Sequence, residues 1–315
     1  MRLIKNIFIT ISVVILISQS VFCGSNSTYK FLRNDVSARA AALGGSFLTT
    51  TNDPNTIFYN PSALASINQR QVSIGYFNHL LDINSGHLSY SDRVEGFGFI
   101  GAGIIYTHYG DFEMRNELGY KEGNFSAGDF AVSAAYADQL IENVTYGASI
   151  KFIYSTIASY NSYGVATDFG VTYTAIPDRF HVAASLLNLG TQLKPYINTK
   201  EKLPLDLKIG ASLKPEHLPL RINISFNKLL DYQNNFSSRF RSFTFGGEFT
   251  LTQNVQFRFG YNNENRKDLK IDKSAGLAGF SIGGGFLYEV YKIDYAFNSM
   301  GKIGGLHRIT VGILL

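Results

Sequence analysis

Apolar and polar positions alternate with a period of two through most of this chain. Tyr146, Ala148, Ile150, Phe152 and Tyr154 fall on one face, with Thr145, Gly147, Ser149 and Lys151 on the other. Val255, Phe257, Phe259 and Tyr261 oppose Gln256, Arg258, Gly260 and Asn262; Ile309, Val311, Ile313 and Leu315 oppose Arg308, Thr310 and Gly312. A period of two puts successive side chains on opposite sides of a strand, and no helical period reproduces it. About 14 such blocks can be placed, each bounded to within a few residues. They lie near 72–78, 85–91, 97–106, 128–138, 143–155, 163–174, 179–189, 206–213, 219–229, 240–251, 254–262, 275–284, 286–297 and 306–315.

The connections sort by length. The long ones, 107–127, 190–205, 230–239 and 263–274, all follow an odd-numbered block, whereas Ala175 to Asp178 and Thr252-Gln253 are short. Short periplasmic turns and longer external loops produce that asymmetry, and an even count closes a bacterial barrel with both ends in the periplasm. Closure leaves no sheet edge unsatisfied in hydrocarbon. The fold class predicted is therefore all-β: a closed antiparallel transmembrane β-barrel over 72–315.

Residues 24–71 break the alternation. Ala38 to Leu43 predicts a short helix stopped by Gly44-Gly45, and Thr56 to Ala65 holds another turn. Ahead of the first strand, this partly helical segment is expected to fold into the periplasmic end as a plug, since an empty barrel of this size would conduct.

Composition fits this reading. The chain has 30 glycines, 25 phenylalanines, 19 tyrosines, no tryptophan and 17 % charged residues; a membrane barrel can turn so many aromatics toward lipid. The net charge of +4 is modest and its lysines and arginines are scattered, so nucleic-acid binding finds no support. At the start, Arg2 and Lys5 precede the apolar run Ile7 to Ile17, the layout of a secretory signal peptide over 1–23. The single cysteine, Cys23, could be a lipoprotein acceptor, but Ser20-Val21-Phe22 is a poor lipobox and cleavage near Cys23 is favoured. The mature chain then holds no cysteine for disulfides or thiolate metal sites.

Candidate chemistry is sparse. Gly96 to Gly101 spells GxGxxG, but no helix follows, so nucleotide binding is not expected. His79, His87, His108, His181, His217 and His307 lack metal-ligand spacing, and no carboxylate pair stands out as a catalytic dyad. No catalytic, cofactor or metal residues are assigned. The inward faces carry Asp129, Lys151, Asp168, Lys208, Arg221, Glu248, Arg258, Lys292, Asp294 and Arg308. Mixed signs favour a paired network that fills the lumen over a conduit steering one ligand, and Arg39 is a natural plug partner for an inward acid. The aromatic stretch with Tyr109, Asp111, Phe112 and Tyr120 reads equally as a docking loop or as interfacial aromatics.

Ser37 to Gly45, Asn52-Asp53-Pro54 and Asn60-Pro61-Ser62-Ala63-Leu64 together resemble the PorV/PorQ family of outer-membrane barrels, distant kin of the fourteen-strand long-chain fatty-acid transporter fold. The plug motif is Arg39, Gly44, Gly45, Asp53, Asn60 and Pro61. Tyr109 to Phe112, Gly123 to Ala131, Gly190 to Tyr196 and Gly260 to Asn262 look like the PorQ branch. Two departures are Ser62 where the family has alanine, and a terminal Leu315 where barrels often end in an aromatic. The resemblance implies a non-enzymatic scaffold in type IX secretion and surface attachment of cargo. Its implied partners are other attachment-complex proteins, a PorZ-like protein among them. The alternative is a transporter of hydrophobic small molecules; a diffusion pore is a weaker third.

Overall fold

Fourteen antiparallel strands close on themselves, because the first strand pairs with both the second and the last. In this computed structural model, residues 27–79, 82–231, 236–270 and 275–315 are described. The expected signal peptide and Cys23 lie outside them. The strands are β1 (Gln71–Asn78), β2 (Asn84–Val94), β3 (Gly98–Arg115), β4 (Lys121–Ile141), β5 (Val144–Ile157), β6 (Tyr160–Ile176) and β7 (Phe180–Lys194). There follow β8 (Asp206–Leu213), β9 (Leu220–Phe226), β10 (Phe243–Thr250), β11 (Val255–Asn262), β12 (Phe280–Tyr288), β13 (Tyr291–Ser299) and β14 (Gly305–Leu314). No helix of the described residues is long and apolar enough to cross a membrane.

Alternation along each strand sets its two faces. On β5, Ile150 is 62 % exposed on the outer wall while Lys151 is 4 % exposed in the lumen. Every connection after an even-numbered strand is a short turn, and the extended loops follow odd ones, so the latter end is external.

Three expectations are corrected. The connection expected over 107–127 is mostly strand: β3 runs to Arg115 and β4 starts at Lys121, with a register shift between His108 and Asp111. The twelfth strand, expected at 275–284, runs Phe280–Tyr288 and turns at Glu289, whose φ is 52°. Gly283-Gly284-Gly285 reads as a break, yet it lies inside β12. A Cβ on Gly283 would sit 2.6 Å from the Ala42 side chain, and one on Gly285 2.6 Å from Arg258 and Asp294. The tenth strand begins at Phe243 rather than 240, because Phe236–Arg241 forms a 3-10 turn.

Residues 27–70 fill the lumen. The helix Ala38–Ala42 is N-capped by the Ser37 side chain, and Gly44 and Gly45 end it with φ of 67° and 85°. Two 3-10 turns follow, Pro54–Phe58 capped by Asp53 and Pro61–Ser66 capped by Asn60, each with proline at its first position. The segment reaches well beyond the periplasmic end. Thr28 N–H donates to the Lys202 carbonyl (3.0 Å) in the external β7–β8 loop, and Gln71 Nε2 reaches Asn52 Oδ1 (2.6 Å) at the opposite end.

Candidate functional site

The lumen holds its segment in two different ways. Against β3 to β6 the contact is apolar: Phe31, Phe47, Ile57, Phe58, Tyr59 and Leu64 pack on Ile105, Ala131, Ala135 and Ile153. Sequence reasoning missed this, having assigned mostly polar and charged residues to the inward faces. The signal was the alanines of β4, which occupy inward positions and leave room for the segment's large side chains.

Against β10, β11 and β13 the contact is chiefly ionic, beside a small apolar one in which Ala38, Ala41 and Ala42 pack on Ala296. Arg39 grips Glu248 with two bonds, Nε–Oε2 and Nη2–Oε1, both 2.8 Å. Glu248 pairs across the ladder with Arg258 (Nε–Oε2, 2.6 Å), and Arg258 reaches Asp294 (2.6 Å). Lys292 bonds Asp294 (3.5 Å) and Asp53 (3.2 Å), and Asp53 returns to Arg39 (3.1 Å). Three cations and three carboxylates thus alternate around a closed, neutral ring. Closure matters because a buried charge is tolerated only when paired and hydrogen-bonded, and Arg258 is 0 % exposed. In the luminal segment, burial alone would raise the Asp53 pKa; Lys292 and Arg39 outweigh it and hold the carboxyl well below the usual carboxylate range.

Of the ten inward charges read from the sequence, Glu248, Arg258, Lys292 and Asp294 join this ring. Lys151 and Asp168 form a separate buried pair (3.1 Å), completed by Asn188 and Ser149. Lys208 meets Asp206 (3.7 Å) and lies over the Tyr59 ring. Asp129 accepts from Tyr109 (2.6 Å) and Ser155; Arg221 donates to the Asp178 carbonyl; Arg308 bonds Asn298 and lies over Phe77. These last three join no carboxylate–cation pair among the described residues. No pattern along the chain points to Arg33, which clamps Asp231 with two bonds (2.8 and 2.7 Å) at the external mouth.

The plug-motif residues meet the wall at glycines. A Cβ on Gly260 would lie 2.2 Å from the Gly44 nitrogen, and one on Gly170 2.0 Å from Asn60 Oδ1. Only glycine admits so close an approach of two backbones. Asn60 Nδ2 bonds Thr172 (3.0 Å), and Pro61 rests on Gly147. One cavity, beside Asp35 and Arg308, measures about 40 Å³, against roughly 150 Å³ for an apolar cavity that takes benzene. Among the described residues no group of His, Cys, Asp and Glu gathers as a metal site.

The candidate docking residues divide. Tyr109 turns inward to Asp129, while Asp111, Phe112 and Tyr120 stand on the protruding β3–β4 hairpin. Phe112 stacks on Phe125 with centroids 5.3 Å apart, and Tyr120 is 69 % exposed.

A closed fourteen-strand barrel whose lumen is occupied by its own N-terminal segment is an outer-membrane β-barrel of the fatty-acid-transporter type of fold. Solved structures agree on the fold. The toluene transporter TodX of Pseudomonas putida superposes with TM-score 0.58 at 13 % identity, covering 89 % of this chain and 96 % of its own. The toluene transporter TbuX of Ralstonia pickettii gives 0.57 at 14 %, covering 88 % and 96 %. A FadL homologue of Pseudomonas aeruginosa gives 0.56 at 10 %, covering 88 % and 98 %. No curated protein matches the sequence. The family profile of the type IX secretion system protein PorV matches residues 25–235, and the chain belongs to that family.

Proposed function

We propose that this protein is a non-enzymatic outer-membrane scaffold for type IX secretion and surface attachment of cargo, on the PorQ branch of its family, with a PorZ-like partner. In this reading residues 1–23 leave as a signal peptide, 24–71 act as a plug and 72–315 form the barrel. The observation that carries it is the occupied lumen: the segment is tied by Arg33–Asp231 at the external mouth and by the ionic ring further in. A sealed barrel is suited to hold a partner rather than pass a solute. The β3–β4 hairpin and the loops after β7 and β11 are the docking elements. A transporter of hydrophobic small molecules is the second reading, favoured by the fold shared with TodX and TbuX. It requires the apolar contacts of Phe47, Phe58 and Leu64 to open.

Tagging the protein in its host, extracting it in mild detergent and identifying what co-purifies separates the two. Type IX components enriched over an unrelated barrel support the scaffold. Recovery of the barrel alone with a fatty acid or other apolar ligand supports the transporter and sinks the scaffold.

A further inference from the structure

The external ends of β9 to β12 carry an uninterrupted aromatic strip on the lipid side. Ser225, Thr244 and Ser281 point into the lumen, so their neighbours Phe226, Phe243 and Phe280 point out. Phe226 and Phe243 are register partners, Phe243 and Tyr261 lie 5.9 Å apart, and Tyr261 and Phe280 5.0 Å. Phe240, from the β9–β10 connection, packs edge-on against Phe226 at 5.6 Å.

Directly above the strip lies positive charge. In the two external connections over β9 to β12 the described carboxylates are Asp231, Glu264 and Asp268. Asp231 is taken by Arg33 and Glu264 by Lys228 (2.5 Å). Among the described residues that leaves Arg239, Arg241, Arg266, Lys267 and Lys270 against Asp268. One contact places a cation over the aromatics, and a second ties the two connections together. Arg266 lies over the Phe280 ring at 5.8 Å, and Asn263 Nδ2 bonds the Arg241 carbonyl at 2.7 Å, joining the helix Asn263–Asp268 to the 3-10 turn. The Arg239 Nε is buried with no hydrogen-bond partner among the described residues. Strands β9 to β12 have only 7 to 9 residues, no longer than the roughly 9–11 that a tilted strand needs to cross a bilayer core. These cations therefore sit at the outer interface and not far above it.

We propose that this face binds a phosphorylated lipid of the outer leaflet, with acyl chains along Phe226, Phe243, Tyr261 and Phe280 and phosphates at the five cations. An aromatic lane in hydrocarbon beneath clustered guanidiniums and ammoniums matches an amphiphile with an anionic head. Arginine favours phosphate through its planar fork of donors.

The test uses the full-length protein in mild detergent, titrated with bis-phosphorylated lipid A or the same lipid after dephosphorylation, and read by native mass spectrometry. The wild type is expected to prefer the phosphorylated lipid. Neutralising Arg241→Gln with Lys267→Gln should weaken it about 25-fold, at roughly five-fold per interfacial cation. Arg70→Gln with Lys214→Gln, exposed cations at the periplasmic end, should leave binding unchanged, and retained heat-modifiable gel mobility shows that each variant is folded. Equal binding of both lipids, or unchanged binding by the site variant, would overturn the assignment. Full displacement by millimolar inorganic phosphate would make it a small-anion site instead. Unaltered lipid binding with loss of a co-purifying protein would assign the patch to an acidic partner, and likewise overturns it.

Discussion

The two sides of the barrel solve one problem in different ways. Strands β3 to β7 run 14 to 21 residues, far past the bilayer, and β3 to β6 grip the luminal segment through apolar contacts. Strands β8 to β14 run 7 to 10 residues and grip it, at β10, β11 and β13, through a closed ring of charges. The tall wall can spare inner surface for packing because Gly103 and Gly101 of β3 leave space for Phe58 and Leu64. On the low wall, glycines bring the backbone of the segment close enough for Arg39 to enter the ring. The outer rims differ too: the tall hairpin carries Asp111, Glu113, Glu117 and Glu122 against Arg115 and Lys121, whereas the low rim is basic.

Breaking each grip separately should expose the difference. Arg258→Met strands Glu248 and Asp294 with one cation each and should cost about 3–5 kcal/mol, read from denaturant unfolding in micelles. Leu64→Ala on the tall side should cost about 2–5 kcal/mol by transfer and cavity terms. Its cost should not depend on pH, since no charge is altered. A Gly260→Val variant forces the wall from Gly44 and should cost about 1–3 kcal/mol; its measurable sign is earlier proteolysis of the luminal segment.

Acid should weaken the low-wall grip selectively. The folded-state pKa of Asp53 is depressed, so its contribution is complete above the unfolded carboxyl pKa of about 4. That contribution is lost as pH falls below that value toward the folded pKa. Thermal unfolding followed from neutral to acid pH should show an acid limb in the wild type and a shallower one in Asp53→Asn. The smallest effect is expected from replacing residues 112–125 with a tight turn. Barrel stability should change by no more than about 0.5 kcal/mol, since the excised contacts are exposed.

Much of this was legible beforehand. Alternation gave the count of fourteen strands and the parity of their loops, because one face of each strand meets lipid and the other the lumen. It misplaced β12, since the triglycine that looks like a turn exists to admit Ala42, Arg258 and Asp294 from elsewhere in the chain. It also ended β3 too early, because the register shift between His108 and Asp111 breaks the two-residue period while the ladder continues. The ring itself was out of reach: sequence shows which charges point inward, but partnership depends on where the luminal segment threads. Arg39 was recognisable as a partner for an acid; that the acids would be Glu248 and Asp53 was not.

The most direct test is ion conductance across a planar bilayer containing the purified protein, compared with an Arg39→Gln variant. The occupied lumen requires a silent wild type, with channel openings appearing or rising sharply in the variant as the ring opens. A steady, large conductance from the wild type would contradict a lumen sealed by its own chain.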